Sequence, residues 1–223
     1  ADFLTPTTDV QKITHSDTKS PALVIEAKGG EPTRILDVNS VAFGQIAAHC
    51  EIDTRTARRL QENYPEEFDT LINAHFEKEP KRKMIRTHLD VTESTGTARA
   101  FLSDRFKCFD NDDMIQTILP PLMENPAQFQ VAQANLSASR LYMRFKSLNQ
   151  TGTGANLNDI MANGVGFSNS ETGMGSVSVY AIMWTLACLN GMQTENKTRS
   201  SHITSSRDGD DWGLLSGEAK DAD

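Results

Sequence analysis

Two stretches in the middle of the chain alternate basic or polar residues with apolar ones, which is the period of a half-buried β-strand. They cover residues 99–108 and residues 139–146. Alternate side chains of a strand point to opposite faces, so each stretch is predicted to turn its apolar residues towards a core. The opposite face then carries Arg99, Phe101, Arg105 and Lys107 from the first stretch, and Arg140, Tyr142, Arg144 and Lys146 from the second.

If the two strands lie in one sheet, they form a cationic surface with two aromatic rings set into it. Proteins that bind single-stranded nucleic acid without sequence preference combine basic groups for the phosphates with aromatic rings for base stacking. The pattern therefore predicts a single-stranded DNA site made of all eight residues. The alternative is that these are ordinary solvated outer faces, where Arg and Lys are common.

Helical spacing dominates the chain before residue 80, and strand patterns dominate after it. Good N-caps precede apolar-periodic segments at 41–50 and 55–63, and Pro65 at a first helical turn opens a segment that reaches about residue 78. The chain is therefore predicted to be α+β, with a helical N-terminal cluster followed by a mostly antiparallel β-sheet with packed helices.

The same pattern suggests four units along the chain. They are an irregular lead-in at 1–21, a hairpin and helical cluster at 22–80, an antiparallel sheet with helices at 81–195, and a polar, acidic, flexible tail at 196–223. Within the third unit we expect a helix that stops at Pro120, a flexible Gly-rich linker at 149–156, and a buried segment at 176–189 that begins as a strand and continues as a helix.

Most of the net negative charge lies at the C-terminal end of the sequence. The net charge is −8, which is unlike the strongly basic composition of most nucleic-acid binders. Residues 208–223 hold six of the 30 acids and one of the 22 bases, which leaves 24 acids and 21 bases in residues 1–207. The body of the chain is thus almost balanced, and locally basic strands are compatible with it.

Composition also gives expectations for location. Three widely separated cysteines without metal-ligand spacing favour a reducing, cytoplasmic environment. No apolar run approaches the roughly 18 residues that span a bilayer, so no membrane association is expected.

Candidate chemistry is sparse. Asp110, Asp112 and Asp113 could suggest a metal, but their position at a predicted helix start explains them as capping residues. The five histidines form no metal-binding motif, and Ser168 lies in no nucleophile elbow. We therefore expect no catalytic residue, no metal and no cofactor.

A second basic feature gives a rival interpretation. Residues 45–60 read as two short helices joined by a tight turn, and the second helix carries Arg55, Arg58 and Arg59. This arrangement resembles a helix-turn-helix reader of duplex DNA. Simple packing of two capped helices is the structural alternative.

Four motifs in order resemble the phage- and plasmid-related proteins of domain-of-unknown-function family 932, over residues 4–202. They are the string RAFLSDRFK with FDNDD after it, SRLYMR at 139–144, GVGFSNSETGMGSVSV at 164–179, and CLNGM at 188–192. The resemblance implies a mobile-element protein with a role in DNA maintenance or recombination.

The leading expectation is thus a non-enzymatic, cytoplasmic single-stranded DNA-binding protein that self-associates and assists annealing or recombination. The rivals are a duplex-DNA-binding regulator that uses residues 45–60, and a structural or host-interaction protein without nucleic-acid binding.

Overall fold

The computed structural model describes residues 2–26, 32–90, 94–124, 128–153, 160–187 and 192–201, with the backbone alone at 149–153, 160–161, 184–187 and 192–201. These residues form two β-sheets. The first sheet has the order β1-β5-β6-β4-β3-β2, with strands β1 (Asp2–Pro6), β2 (Val10–Thr14), β3 (Pro21–Ile25), β4 (Arg34–Val38), β5 (Arg82–Leu89) and β6 (Thr95–Ser103). The second has the order β11-β10-β9-β8-β7, with β7 (Phe129–Leu136), β8 (Leu141–Thr153), β9 (Ile160–Asn169), β10 (Ser178–Ala187) and β11 (Met192–Ser201).

The predicted α+β description is wrong, because the described residues are mostly β and their helices do not form an N-terminal cluster. Helices α1 (Ser40–His49), α2 (Thr54–Asn63) and α3 (Pro65–Lys78) are inserted between β4 and β5 of the first sheet. Helix α4 (Asn111–Met123) connects the two sheets. All strand pairs are antiparallel except β4 with β6, whose parallel pairing the helical insertion makes possible.

The lead-in predicted to be irregular at 1–21 contains two strands instead. The sequence of this segment is polar, yet Lys12 on β2 is buried, with 1% of its surface exposed. The Lys12 ammonium binds the carboxylate of Asp69 and the side-chain oxygen of Gln61 (2.7 Å), and it lies 4.8 Å from the centre of the Phe68 ring. Burial lowers the pKa of Lys12, and Asp69 opposes that shift. Partners from the helices thus allow a charged residue to occupy a core position.

The main core lies between the first sheet and its three helices. Sixteen buried residues form one cluster there, and the N-caps Asn39 and Asp53 accept backbone N–H groups at the starts of α1 and α2. Phe76 from α3 stacks on Phe101 from β6, with ring centroids 5.7 Å apart. This stacking closes one face of β6 against the helices.

Helix α4 covers one face of the second sheet. Met114 on the helix is buried against Leu141 and Phe145 of β8 and Phe167 of β9. The helix passes through Pro120 and Pro121 and ends at Met123, although each proline removes an N–H donor and crowds the carbonyl four residues earlier. The Glu124 N–H still reaches the Pro120 carbonyl, at 2.9 Å.

Three other expectations for this half need correction. Strand β8 extends to Thr153 through part of the predicted linker, whose remainder at 154–156 lies outside the described residues. Strand β10 remains a strand to Ala187, and β11 occupies 192–201, where the flexible tail was predicted to begin. Residues 188–191 and 202–223 lie outside the described residues. No helix in the described part of the chain is long and apolar enough to span a membrane.

Candidate nucleic-acid interface

The two basic stretches lie in different sheets. Strand β6 is in the interior of the first sheet, between β5 and β4, whereas β8 is in the second sheet, between β7 and β9. The predicted single surface made from both strands is therefore wrong. Alternation along a strand predicts which side chains share a face, but it carries no information about which strand is the neighbour.

Arg99 and Phe101 are occupied by the protein itself. The Arg99 guanidinium forms an ion pair with Glu171 (Nη2–Oε2, 2.6 Å), and the other Glu171 oxygen accepts the Asn111 N–H at 2.8 Å. Burial would raise the pKa of Glu171, but these two interactions outweigh it and the pKa is lowered. Phe101 is 3% exposed within the main core. Neither side chain is available as a DNA contact in this arrangement.

Arg105 and Lys107 follow the end of β6 and lie in the connection to α4, not in a strand. Both side chains are exposed, and neither has an ion-pair partner among the described residues. The end of β6 and this connection both lie close to the loop at 170–177, since a Cβ placed on Gly173 (φ +72°) would lie 2.6 Å from Leu102 and 3.5 Å from Phe106. The same loop contacts the start of β8.

Strand β8 has the alternation that the sequence predicts. Leu141 and Phe145 are 7% and 2% exposed and face α4. On the opposite face Tyr142 is 39% exposed, while Arg144 and Lys146 are half-buried. Four of the eight predicted residues, those at 140–146, are thus brought together, and the other four are not part of this group.

Arg140 fixes the orientation of the Tyr142 ring. One guanidinium nitrogen donates to the Tyr142 hydroxyl (3.1 Å), the other donates to the Met174 carbonyl (2.7 Å), and Arg140 Cζ lies 5.6 Å from the ring centre. A Cβ on Gly175 would lie 1.3 Å from Arg140 Nη2, so this close approach depends on a glycine at 175. The cation and the ring form one unit at the edge of the loop.

Tyr180 adds a second ring that the sequence analysis missed. The register aligns Arg144 with Gly166 and Gly166 with Tyr180, and directly opposed residues of antiparallel strands share a face. A Cβ on Gly166 would lie 2.2 Å from the Tyr180 ring, so the ring lies across Gly166 towards β8. The available signal was the pair of alternating glycines at 164 and 166, which leave space for a cross-strand ring.

We call this group the β8 polar face; it comprises Arg140, Tyr142, Arg144, Lys146 and Tyr180. The register adds the neutral side chains Gln130, Gln133 and Asn135 from β7 to the same face. Among the side chains that the structure describes, no carboxylate belongs to this face. Two nearby acids, Asp110 and Glu171, pair with Arg86 and Arg99 instead.

Arg86, which is 6% exposed, contacts two carboxylates and one backbone carbonyl at the junction of the two sheets. Its guanidinium lies 3.1 Å from Asp2 and 2.6 Å from Asp110, and it donates to the Glu171 carbonyl at 3.1 Å. The distances to the two carboxylates are those of ion pairs, but the angles at these contacts are not those of hydrogen bonds. Burial would lower the pKa of Arg86, but the two carboxylates outweigh it and the pKa is raised.

Asp110 and Asp113 act as capping residues at the start of α4. The Asp113 carboxylate accepts the Asp110 N–H at 3.2 Å, as in a capping box. Within the described ranges, no group of three or more His, Cys, Asp or Glu side chains is arranged to hold a metal ion.

The helix pair of the rival interpretation is also present. Helix α1 and α2 are joined by a turn in which Glu51 adopts φ +58° in place of the expected glycine. Arg55, Arg58 and Arg59 on α2 are exposed, and none has an ion-pair partner among the described residues. Arg58 packs over the Phe43 ring at 5.7 Å.

The fold and this site define a two-sheet, mostly β protein in which Tyr142 is exposed on the β8 polar face, whereas Ser168, Ser178 and Ile182 on the same face are buried. Comparisons with protein-family models, with curated proteins and with solved structures find no match. The resemblance to family 932 therefore remains a prediction that depends on the four sequence motifs.

Proposed function

We propose that the protein binds single-stranded DNA on the β8 polar face. The observation that carries this proposal is the combination of two tyrosine rings with three basic side chains on the face opposite α4. The eight-residue site expected from the sequence is not proposed, because β6 belongs to the other sheet.

The chemistry of the face suits an extended polyanion with flat bases. Tyr142, Arg144 and Lys146 follow one another along β8 on this face, and Tyr180 lies in the same row as Arg144, so phosphates and bases of one DNA strand can be bound side by side. Each base stacked on an aromatic ring contributes about 1–3 kcal/mol, largely independent of base identity. The expected binding is therefore sequence-tolerant and weakened by salt.

In the setting that the motif resemblance implies, such a protein would act in the cytoplasm of a phage or plasmid host. It would serve as an annealing or recombination accessory without catalysing a reaction itself. Nothing in the function requires a metal or cofactor.

The test is a fluorescence-anisotropy titration of a labelled oligothymidine of about 20 nucleotides at about 50 mM salt. Tyr142→Ala should weaken binding at least about fivefold through the lost stacking. Tyr64→Ala is its matched control, because Tyr64 is also exposed (58%) but lies between α2 and α3, outside the second sheet. The control should keep wild-type affinity.

A charge-reversal pair tests the phosphate contacts. Arg144→Glu/Lys146→Glu should weaken binding and reduce the slope of log affinity against log salt by about 1.4. Arg55→Glu/Arg59→Glu makes the same change in net charge on α2 and should have little effect on single-strand binding. Equal effects of the two double variants would show non-specific attraction and would rule out the β8 polar face as the site.

The exposed arginines of α2 favour a second candidate, duplex-DNA binding through that helix. This candidate predicts the reverse ranking with a double-stranded probe, where Arg55→Glu/Arg59→Glu abolishes binding and the β8 variants do not. If neither probe binds wild-type protein, the remaining candidate is a structural or host-interaction role.

A further inference from the structure

Strand β7 lies at one edge of the second sheet, and among the described residues no strand pairs with its outer side. Seven of its eight residues are exposed, including Val131 (51%) and Leu136 (69%). Within the described residues, β7 pairs only with β8, so its other edge presents backbone N–H and C=O groups without a strand partner. An edge of this kind is a template for another strand.

The other three sheet edges carry features that discourage strand addition. Strand β1 contains Asp2 and Pro6, and the sequence of β11 contains Glu195, Lys197 and Arg199. Strand β2 is capped by α3, since the Asn73 side chain accepts the Lys12 N–H (2.7 Å) and donates to the Lys12 carbonyl (2.9 Å). Charges, prolines and covering helices are the usual protection of sheet edges.

Strand β7 has none of these charge or proline features. Its sequence is FQVAQANL, and no charged residue occurs between Glu124 and Arg140. An exposed strand without charge or proline is exceptional in this chain, where charged residues make up 23% of the total. Nothing in the sequence of β7 therefore opposes the pairing of a neutral strand with its outer edge.

The order of polarity along β7 is the same in both directions. Read from either end, the strand runs apolar, polar, apolar, then the central pair Ala132 and Gln133, then apolar, polar, apolar. Such a strand is complementary to a second copy of itself placed antiparallel. A twofold axis between residues 132 and 133 then aligns Phe129 with Leu136, Gln130 with Asn135, and Val131 with Ala134.

A β-bulge makes this alignment consistent with the faces of the sheet. In a regular strand, residues 131 and 134 would point to opposite faces. The pairing with β8 shifts between Val131 and Gln133, which leaves Ala132 as the extra residue. As a result Phe129, Val131, Ala134 and Leu136 all oppose the α4-facing residues of β8, and Gln130, Gln133 and Asn135 oppose its polar ones.

We infer that β7 pairs antiparallel with β7 of a second copy, which joins the two second sheets into one continuous sheet. The pairing buries the exposed apolar residues Val131 and Leu136 against the partner's strand and satisfies the open backbone edge. The twofold axis is perpendicular to the sheet, so both copies present the β8 polar face on the same side. Three strand spacings separate the two β8 strands, which is roughly 14 Å.

The test compares two double variants that differ only in the sign of one charge. Gln130→Glu/Asn135→Glu places carboxylates opposite each other twice across the seam, whereas Gln130→Glu/Asn135→Lys places opposite charges there. Both positions are exposed, so both variants should fold, which circular dichroism checks. Sedimentation velocity from about 1 to 100 µM should give wild-type protein at twice 24.6 kDa.

The like-charge variant should raise the dimer dissociation constant at least about tenfold relative to the opposite-charge variant. Hydrogen exchange gives an independent measurement, because amides of residues 129–136 should gain protection as protein concentration rises. Wild-type protein that remains monomeric at about 100 µM would overturn the inference. So would a dimer that is equally stable in both variants, since it would use another surface.

Discussion

The two sheets of this protein bury their side chains to very different extents. The first sheet and its three helices share a cluster of sixteen buried residues, whereas the second sheet has one cluster of four with α4 and another of two, Ala162 and Ile182. In the first sheet even a lysine, Lys12, is enclosed by partners. In the second, the strands place basic, aromatic and amide side chains on the face opposite α4, where Tyr142 is 39% exposed.

This difference separates stability from recognition. Buried apolar area is the main source of folding free energy, so the first sheet carries most of the stability. The second sheet carries the β8 polar face and the outer edge of β7, which among the described residues has no strand partner. Both are surfaces to which another molecule can bind. The following predictions test this division, in order of expected effect.

Phe76→Ala should cost about 3–5 kcal/mol of unfolding free energy, because the ring is 1% exposed and stacks on Phe101. Phe167→Ala in the second sheet should cost less, about 2–3 kcal/mol, since a cleft lined by Met114, Phe145 and Phe167 already adjoins that ring. Urea denaturation measures both. A larger loss for Phe167→Ala would reverse the assignment of stability to the first sheet.

Arg86→Met should cost about 2–3 kcal/mol, because it leaves Asp2, Asp110 and the Glu171 carbonyl without their shared partner. The figure is below that of a fully buried pair, since Asp110 is 44% exposed and can be hydrated. We also expect the two sheets to unfold less cooperatively, which a broader urea transition would report. Arg82→Met, an exposed arginine on the same strand, should change stability by less than about 0.5 kcal/mol.

Acidification should weaken the first sheet through His49. Burial, followed by the charge of Lys83, lowers the pKa of His49 from 6.5 to about 4. The unfolded state therefore binds more protons between these values, so stability is complete above pH 6.5 and falls as the pH drops towards 4. We expect a loss of about 1 kcal/mol from pH 7 to pH 5, reduced by solvent screening.

His49→Leu should remove this part of the pH dependence, as measured by urea unfolding at several pH values. The same slope in the variant as in the wild type would assign the effect to other groups. A variant that loses stability equally at both pH values would still satisfy the prediction, because only the slope depends on proton uptake.

Local signals predicted single elements well. Pro65 opens α3, which forms as Pro65–Lys78, and most of the alternating stretch at 139–146 lies in β8, which begins at Leu141. Each of these depends on neighbours in sequence. The paired strands β3 and β4 and the hairpin of β7 with β8 also follow from short separations along the chain.

Long-range partners could not be predicted in the same way. Strand β6 is buried on both faces, so the alternation that placed Phe101 with Arg99 towards solvent does not apply to it. The burial of Lys12 depends on Asp69, 57 residues away, and the role of Arg99 depends on Glu171, 72 residues away. The position of Tyr180 depends on the register with Gly166, which a periodicity cannot supply.

The loop at 170–177 is attached to both halves of the molecule. At one end the Thr172 carbonyl accepts the Gln45 side chain (2.7 Å) and Glu171 is bound to Arg99, while a few residues later Met174 and Gly175 hold Arg140. If a bound polyanion replaced the Met174 carbonyl as the partner of Arg140, the loop would lose one of its contacts. The same short loop is bound to α1 through Gln45 and to β6 through Arg99. Binding of a polyanion to the second sheet would then change the contacts that the loop makes with α1 and β6 of the first sheet.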